Sequence, residues 1–314
     1  MFILLKFPES CDPMTLSRRY SNETDKQLQN KGIFVQYQKK GIDGDGKLHS
    51  HMGYEIYFFY KGNTKIIIGD QVYSLQRGDM VLIPGRIPHI AKPDAESPYV
   101  RSIIHFLDIH INMFPEQILE PILHLFQNNG LLIHWEVSDQ HEIEKLVSKI
   151  NSELNKDEFG NETMAATFLM ELLVIIYRKV QATNNQTQFR HLTQQEIYVE
   201  QILSIINSTY NKEIDLDYIA NSININKHYM CHCFKDVTGY TISTYIQHKR
   251  MEEAKKLLQF SPKSMTNIGQ CVGIRNVSHF SRLFKEHSGM TPSAFRKNYN
   301  TMLKKQFSIK TEQL

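Results

Sequence analysis

Four residues in the N-terminal half combine types and spacing suited to metal or polar-ligand chemistry: His49, His51, Glu55 and His89. Residues two apart in an extended chain share a face, so His49, His51 and Glu55 all point one way. His89 arrives from a separate segment, Pro84-Gly-Arg-Ile-Pro-His89. Three imidazoles and a carboxylate form a donor set for a divalent zinc, manganese or iron ion. Without metal, the same groups line a pocket that hydrogen-bonds a polar effector. Tyr54 and Tyr57, with Phe59 and Tyr99, offer faces on which a sugar ring stacks; the plainer alternative makes half of them core.

A second constellation lies in the C-terminal third, where a segment repeats. Phe234-Lys-Asp-Val-Thr-Gly-Tyr-Thr-Ile-Ser-Thr-Tyr245 recurs as Phe284-Lys-Glu-His-Ser-Gly-Met-Thr-Pro-Ser-Ala-Phe295. In each copy a short apolar helix is followed by a turn and a second helix. Asn226 caps one second helix, Asn276 or Ser278 the other, and Gly239 and Gly289 stop them. That is the plan of a helix-turn-helix. The outward faces carry Lys227, His228, Cys231, His232 and Lys235 in copy one. In copy two they carry Asn276, Ser278, His279, Arg282 and Lys285, beside Val277. Donors and cations of this kind suit base edges and phosphates of double-stranded DNA. Cys231-His232-Cys233 invites a zinc reading, but residues two apart on a helix point to nearly opposite sides. Cys233 is expected in the core and Cys231 at the surface.

The elements that must position these groups follow from periodicity. Residues 30–110 alternate apolar and polar, as in 64–68, 71–75 and 80–83, with Gly-Asp pairs between. This predicts short antiparallel strands forming a small barrel. Residues 115–181 read as helical. There Met164, Phe168, Leu172 and Ile176 form one stripe and Ala165, Leu169 and Leu173 the next, which predicts burial on two sides, one a candidate dimer seam. The polar stretch 181–193 reads as a linker. The expected domains are 1–182 and 196–300, with a linker at 183–195 and a tail at 301–314. The fold class is α+β, an N-terminal barrel with packed helices and an all-α C-terminal domain.

Charge follows the same division. Residues 1–190 hold 20 basic and 23 acidic side chains, and residues 191–314 hold 16 and 10. A basic C-terminal part implies a polyanionic partner. With 41% hydrophobic and 22% charged residues, the 314-residue chain matches ordinary globular proteins. Four irregularly spaced cysteines are no disulfide framework. The apolar start lacks the pattern of a signal peptide, and no run reaches the ~18 apolar residues of a membrane span. A cytoplasmic protein with no membrane partner is expected.

From Gly273-Ile-Arg-Asn-Val-Ser-His-Phe-Ser-Arg-Leu-Phe-Lys-Glu-His-Ser-Gly-Met-Thr-Pro-Ser-Ala-Phe-Arg296, residues 197–300 resemble the DNA-binding domain of the AraC/XylS family. Ile274 stands where the family usually has Phe or Tyr. The resemblance implies recognition helices at 227–237 and 277–287, with base contacts near His228, Cys231, His232, Ser278, His279 and Arg282. His-x-His-x3-Glu-x6-Gly, then Gly-x5-Pro and His89, resembles the two cupin motifs, with Arg86 in place of a usual Gly. Residues 35–110 are thereby similar to the sensor half of many such regulators. That resemblance implies a small-molecule effector, often a sugar, and tilts towards activation of transcription. It further implies a homodimer acting with RNA polymerase rather than an enzyme. No cofactor is required on this reading. A metal-dependent cupin enzyme or metal sensor fused to a DNA-binding domain is the rival.

Overall fold

The computed structural model describes residues 27–28, 31–41, 48–94, 96–127, 129–183 and 192–300. The expected tail and most of the linker lie outside them. Among the described residues, eight strands run β1 (Ile33–Lys40), β2 (Tyr54–Lys61), β3 (Thr64–Ile68), β4 (Gln71–Leu75), β5 (Asp79–Pro84), β6 (His89–Pro93), β7 (Val100–Phe106) and β8 (Leu131–His134). They form two antiparallel sheets, β1-β7-β2-β5-β8 and β4-β3-β6. The alternating segments 64–68, 71–75 and 80–83 fall on β3, β4 and β5 as expected. β8 does not: its four residues lie inside the stretch read as helical. It is too short to show a period of its own, and its pairing with β5 makes it a strand.

Strand β2 explains how the larger sheet is buried on both faces. Ile56 and Phe58 meet the helices, while Tyr57 and Phe59 turn towards the smaller sheet among Ile66, Ile68, Tyr73, Val81 and Tyr99. A strand covered on both sides is apolar at nearly every position, as its sequence YEIYFFYK is. The helical layer consists of α1 (Glu116–His124), α2 (Val137–Leu154) and α3 (Asn161–Ala182). Leu172 and Ile176 of α3 are fully buried within the chain's own core, and Phe168 is half-buried beneath Lys149. Met164, of the same stripe, is exposed.

The C-terminal part is helical throughout: α4 (Gln194–Thr209), α5 (Leu216–Ser222), α6 (Lys227–Thr238), α7 (Ile242–Phe260), α8 (Met265–Cys271) and α9 (Val277–Ser288), with residues 292–300 helical after them. Helix α4 begins directly after the polar stretch 181–193. Thr193 and Glu196 form a reciprocal capping box, a signal inside the polar stretch. Helices α4 to α6 pack around Ile202, Ile219, Phe234 and Tyr245, and the second unit around Leu258, Ile268, Phe280 and Phe284. Helix α7 contributes to both clusters.

Candidate functional site

The helix-turn-helix units are built as their capping residues require. The side chain of Asn226 accepts from the His228 amide, and that of Asn276 from the His279 amide. Each such cap contributes about 1 kcal/mol. Ser264 caps α8 by accepting from the Asn267 amide. Gly239 and Gly289 adopt left-handed backbone (φ 80° and 74°), and Gly273 does so in the second turn (φ 79°), with the Asn211 carbonyl 2.6 Å from where a Cβ would stand. Apolar positions Met230, Cys233, Phe234 and Val237 are buried on α6, as are Phe280, Leu283 and Phe284 on α9.

The outward residues stand where the sequence places them. Lys227, His228, His232 and Lys235 are exposed and Cys231 is half-buried; Asn276, Ser278, His279, Arg282 and Lys285 are exposed. Several already have partners. Lys227 bonds Asp217 at 2.8 Å, and His232 pairs with Asp236 at 2.7 Å. Arg282 meets Glu286 at 3.0 Å and His279 at 3.2 Å. Exposed pairs of this kind exchange readily for phosphate or base contacts. Asn276 uses its carboxamide oxygen as the cap, leaving its NH2 as donor. His228, Cys231, His232 and Lys235 also border a groove with Leu216 and Thr241–Ser243.

In the barrel, the four predicted ligands converge and a fifth joins them. Glu55 Oε2 lies 2.9 Å from His51 Nε2, 3.2 Å from His105 Nε2 and 3.3 Å from His89 Nε2, with all four side chains buried. The His89 contact is close but off the line of a hydrogen bond. His49, half-buried, completes a triad with His51 and His89; its ring lies 4.5 Å from that of His89. His49 and His51 are not on a continuous strand. An isolated backbone bridge joins His49 to His89, and His51 is held by its amide bond to the Gly85 carbonyl at 2.8 Å. His105 escaped the sequence reading because it stands alone in β7, with no motif around it. Its signal is register: Glu55 and His105 are cross-strand partners.

The hydrogen bonds specify what the imidazoles present. His51 Nδ1–H donates to the Met52 carbonyl and His89 Nδ1–H to the Ile87 carbonyl, both at 2.8 Å. A neutral ring so anchored turns its Nε2 lone pair inward, the arrangement by which metal-binding histidines are oriented. Lone pairs facing a carboxylate require a cation or a proton between them. Ligand atoms on a tetrahedral zinc, at bonds of about 2.0–2.1 Å, stand about 3.3 Å apart, close to the separations from Glu55 Oε2. Two overlapping triads, His49-His51-His89 and His51-Glu55-His105, each hold their ligand atoms within 4.8 Å of one another. Burial pushes the Glu55 carboxyl up, but the His105 charge and three imidazole contacts outweigh it and hold it well below its usual value. Burial lowers the His105 pKa. These residues fit a divalent ion.

The aromatic residues do not form an open platform. Tyr57 and Tyr99 hydrogen-bond to each other and, with Phe59, are buried in the packed interior. Tyr54 lies on the opposite face of β2, against Phe106 and Phe126, ring centroids 5.3 and 5.1 Å away. Strand alternation puts it there: Tyr54 is one residue out of phase with Glu55.

Comparison with known proteins places both halves. The helix-turn-helix domain model matches residues 219–298, and the AraC-like ligand binding domain model matches residues 41–173. The chain is 27% identical over 251 residues to the Msm operon regulatory protein of Streptococcus mutans, covering 78% of this chain and 84% of that one. It is 23% identical over 254 residues to the HTH-type transcriptional activator RhaR of Salmonella schwarzengrund, covering 79% and 86%. Among solved structures, ToxT from Vibrio cholerae matches at 16% identity and a TM-score of 0.34, covering 86% of this chain and 99% of that one. The C-terminal domain of the response regulator yesN from Fusobacterium nucleatum matches at 30% identity and a TM-score of 0.30, covering 31% and 95%. The chain belongs to the AraC family of DNA-binding transcription regulators, with an N-terminal ligand-binding domain ahead of two helix-turn-helix units.

Proposed function

We propose that this regulator is an activator whose barrel holds a divalent transition metal, and that the metal anchors a small polar effector. The observation that carries the reading is the convergence of His51, His89 and His105 Nε2 within 3.3 Å of Glu55 Oε2 in a buried site. His51, Glu55, His89 and His105 would hold the ion. His49, at the more exposed edge, would meet the effector or add a ligand. The bound ion would supply a Lewis-acidic position for an oxygen of the effector, so a sugar or hydroxy acid is the fitting class. Its recognition would come from oxygen donors at the metal rather than from ring stacking, since Tyr57, Phe59 and Tyr99 are packed away. Activation is supported by the likeness to RhaR, a transcriptional activator.

At the promoter, a homodimer would present α6 and α9 of each protomer to successive major grooves and contact RNA polymerase. The barrel is a binder, not an enzyme, in this reading. The deciding experiment is the metal content of the purified full-length chain, wild type against His51→Ala. Stoichiometric zinc, manganese or iron in the wild type, lost in the variant, is expected. A metal-free wild type that takes up none of the three on dialysis overturns the metal and leaves a hydrogen-bonding pocket.

A further inference from the structure

The segments that carry His49, His51 and His89 are also those through which the barrel grips the DNA-binding domain. His49 and His89 exchange both backbone hydrogen bonds, at 3.1 and 2.9 Å, which ties the two segments together. From the first segment, the Leu48 amide donates to Tyr240 Oη at 3.0 Å and Ser50 Oγ donates to Glu252 Oε2. From the second, the Arg86 guanidinium lies 5.4 Å from the centre of the Phe260 ring. The Pro88 carbonyl accepts from the Gly69 amide at 3.0 Å, and the Gly69 carbonyl accepts from Tyr245 Oη at 3.0 Å. Tyr240, Tyr245, Glu252 and Phe260 mark out α7 from just before its start to its end. Helix α7 joins the two helix-turn-helix units, so the barrel touches both through it, while Val72, Ser74 and Lys65 hold α4 separately through Glu200 and Glu196.

Glu252 is the junction. It is buried, and beyond Ser50 it accepts from His287 Nε2 at 2.6 Å and Lys255 Nζ at 2.7 Å. Burial pushes its pKa up, but Lys255 and His287 outweigh this and keep it ionised. A buried carboxylate is stable only while its donors stay in place, so its geometry is restrictive. His287 lies in the last turn of α9, the recognition helix of the second unit. Ser50 stands between His49 and His51. Two hydrogen bonds therefore connect the backbone of the imidazole cluster to that recognition helix.

We propose that Ser50, Glu252 and His287 form the coupling element through which occupancy of the imidazole cluster sets the position of α9. The proposal rests on the reading of that cluster as a ligand site. An ion drawing His49, His51 and His89 together fixes the Ser50 hydroxyl on Glu252, and Glu252 fixes His287. With the brace closed, α6 and α9 are held at one mutual position and a two-half DNA site is bound as a unit. With it open, the second unit loosens while each half keeps its own contacts. Such coupling needs a differential interaction with the two states, and these hydrogen bonds supply one.

The test uses the full-length chain, Ser50→Ala and, as a second variant, Glu252→Gln, with zinc chloride or a chelator present. Hydrogen exchange and affinity for a two-half and a one-half site are read together. The expected result is about tenfold faster exchange of residues 277–288 in Ser50→Ala, with α6 unchanged. Two-half affinity falls about fivefold and one-half affinity stays within twofold. Zinc is expected to tighten two-half binding of the wild type at least about fivefold and that of Ser50→Ala less than twofold. Unchanged exchange of 277–288 in both variants overturns the coupling, as does a zinc effect of equal size in Ser50→Ala. Direct zinc uptake, measured alongside, judges the metal separately: absent uptake removes the metal, and the coupling is then decided by the exchange and two-half affinity alone.

Discussion

Glu55 on β2 and His105 on β7 face each other as cross-strand partners, carboxylate oxygen to imidazole nitrogen 3.2 Å apart and sealed from solvent. A charged group at this depth is costly without partners, and the pairing of β2 with β7 supplies one. His105→Ala removes one partner without touching the His-x-His segment. It should lower metal affinity at least about 100-fold, since loss of even an outer partner of a metal ligand costs 10–100-fold. Competition with a chromogenic chelator measures this; unchanged affinity would remove His105 from the donor set.

Gly85 offers a test that leaves every ligand intact. A Cβ there would stand 2.4 Å from His51 Nδ1 and 2.9 Å from the Gly53 carbonyl. Gly85→Ala should therefore displace His51 and weaken metal binding comparably to His51→Ala, while α4 to α9 keep their melting behaviour. Full metal affinity in a folded Gly85→Ala protein would show that the loop gives way instead.

Arg282 is an exposed cation on the outward face of α9, paired there with exposed Glu286 and His279. Arg282→Ala should weaken specific DNA binding by roughly 1–3 kcal/mol and relax preference at one base pair. Lys285→Ala should weaken all sequences alike and reduce the salt slope by about one. Titrations at several salt concentrations separate the two; a uniform, salt-independent loss of less than ~0.5 kcal/mol for Arg282→Ala would deny it a base contact.

Acid should destabilise the C-terminal domain through Glu252. Its folded pKa is depressed far below the ordinary 4.5 by Lys255 and His287, with the His248 ring 5.0 Å from that of His287. A depressed carboxylate contributes stability that is present above about pH 4.5 and lost as pH falls through the folded value. Glu252→Gln should cost about 1–3 kcal/mol near neutrality. It should also flatten the decline of stability below pH 4.5, read from urea unfolding across pH. An acid limb as steep as that of the wild type would place the titration elsewhere.

The helix-turn-helix units were legible because each is a local object. Caps at Asn226, Ser264 and Asn276, stops at Gly239 and Gly289, and the apolar rhythm of Phe234 and Phe284 all act within a dozen residues. The 50-residue repeat made the reading redundant. The alternating strands β3, β4 and β5 were legible for the same reason. Tyr54 was misassigned because aromatic type reveals nothing about strand phase until the register against Phe106 is known.

The sequence by itself determined the two-part organisation, the second helix of each helix-turn-helix unit with its outward donors, and the grouping of His49, His51, Glu55 and His89. Those features depend on periodicity, capping and motif spacing, which are short-range. Only the tertiary structure decided that His105 completes the cluster, that β8 is a strand, and that Ser50 reaches Glu252 across 202 positions of chain. Each of these depends on which segments the folded chain brings side by side. A lone His, a four-residue strand and a single Ser carry no periodic signal of that choice.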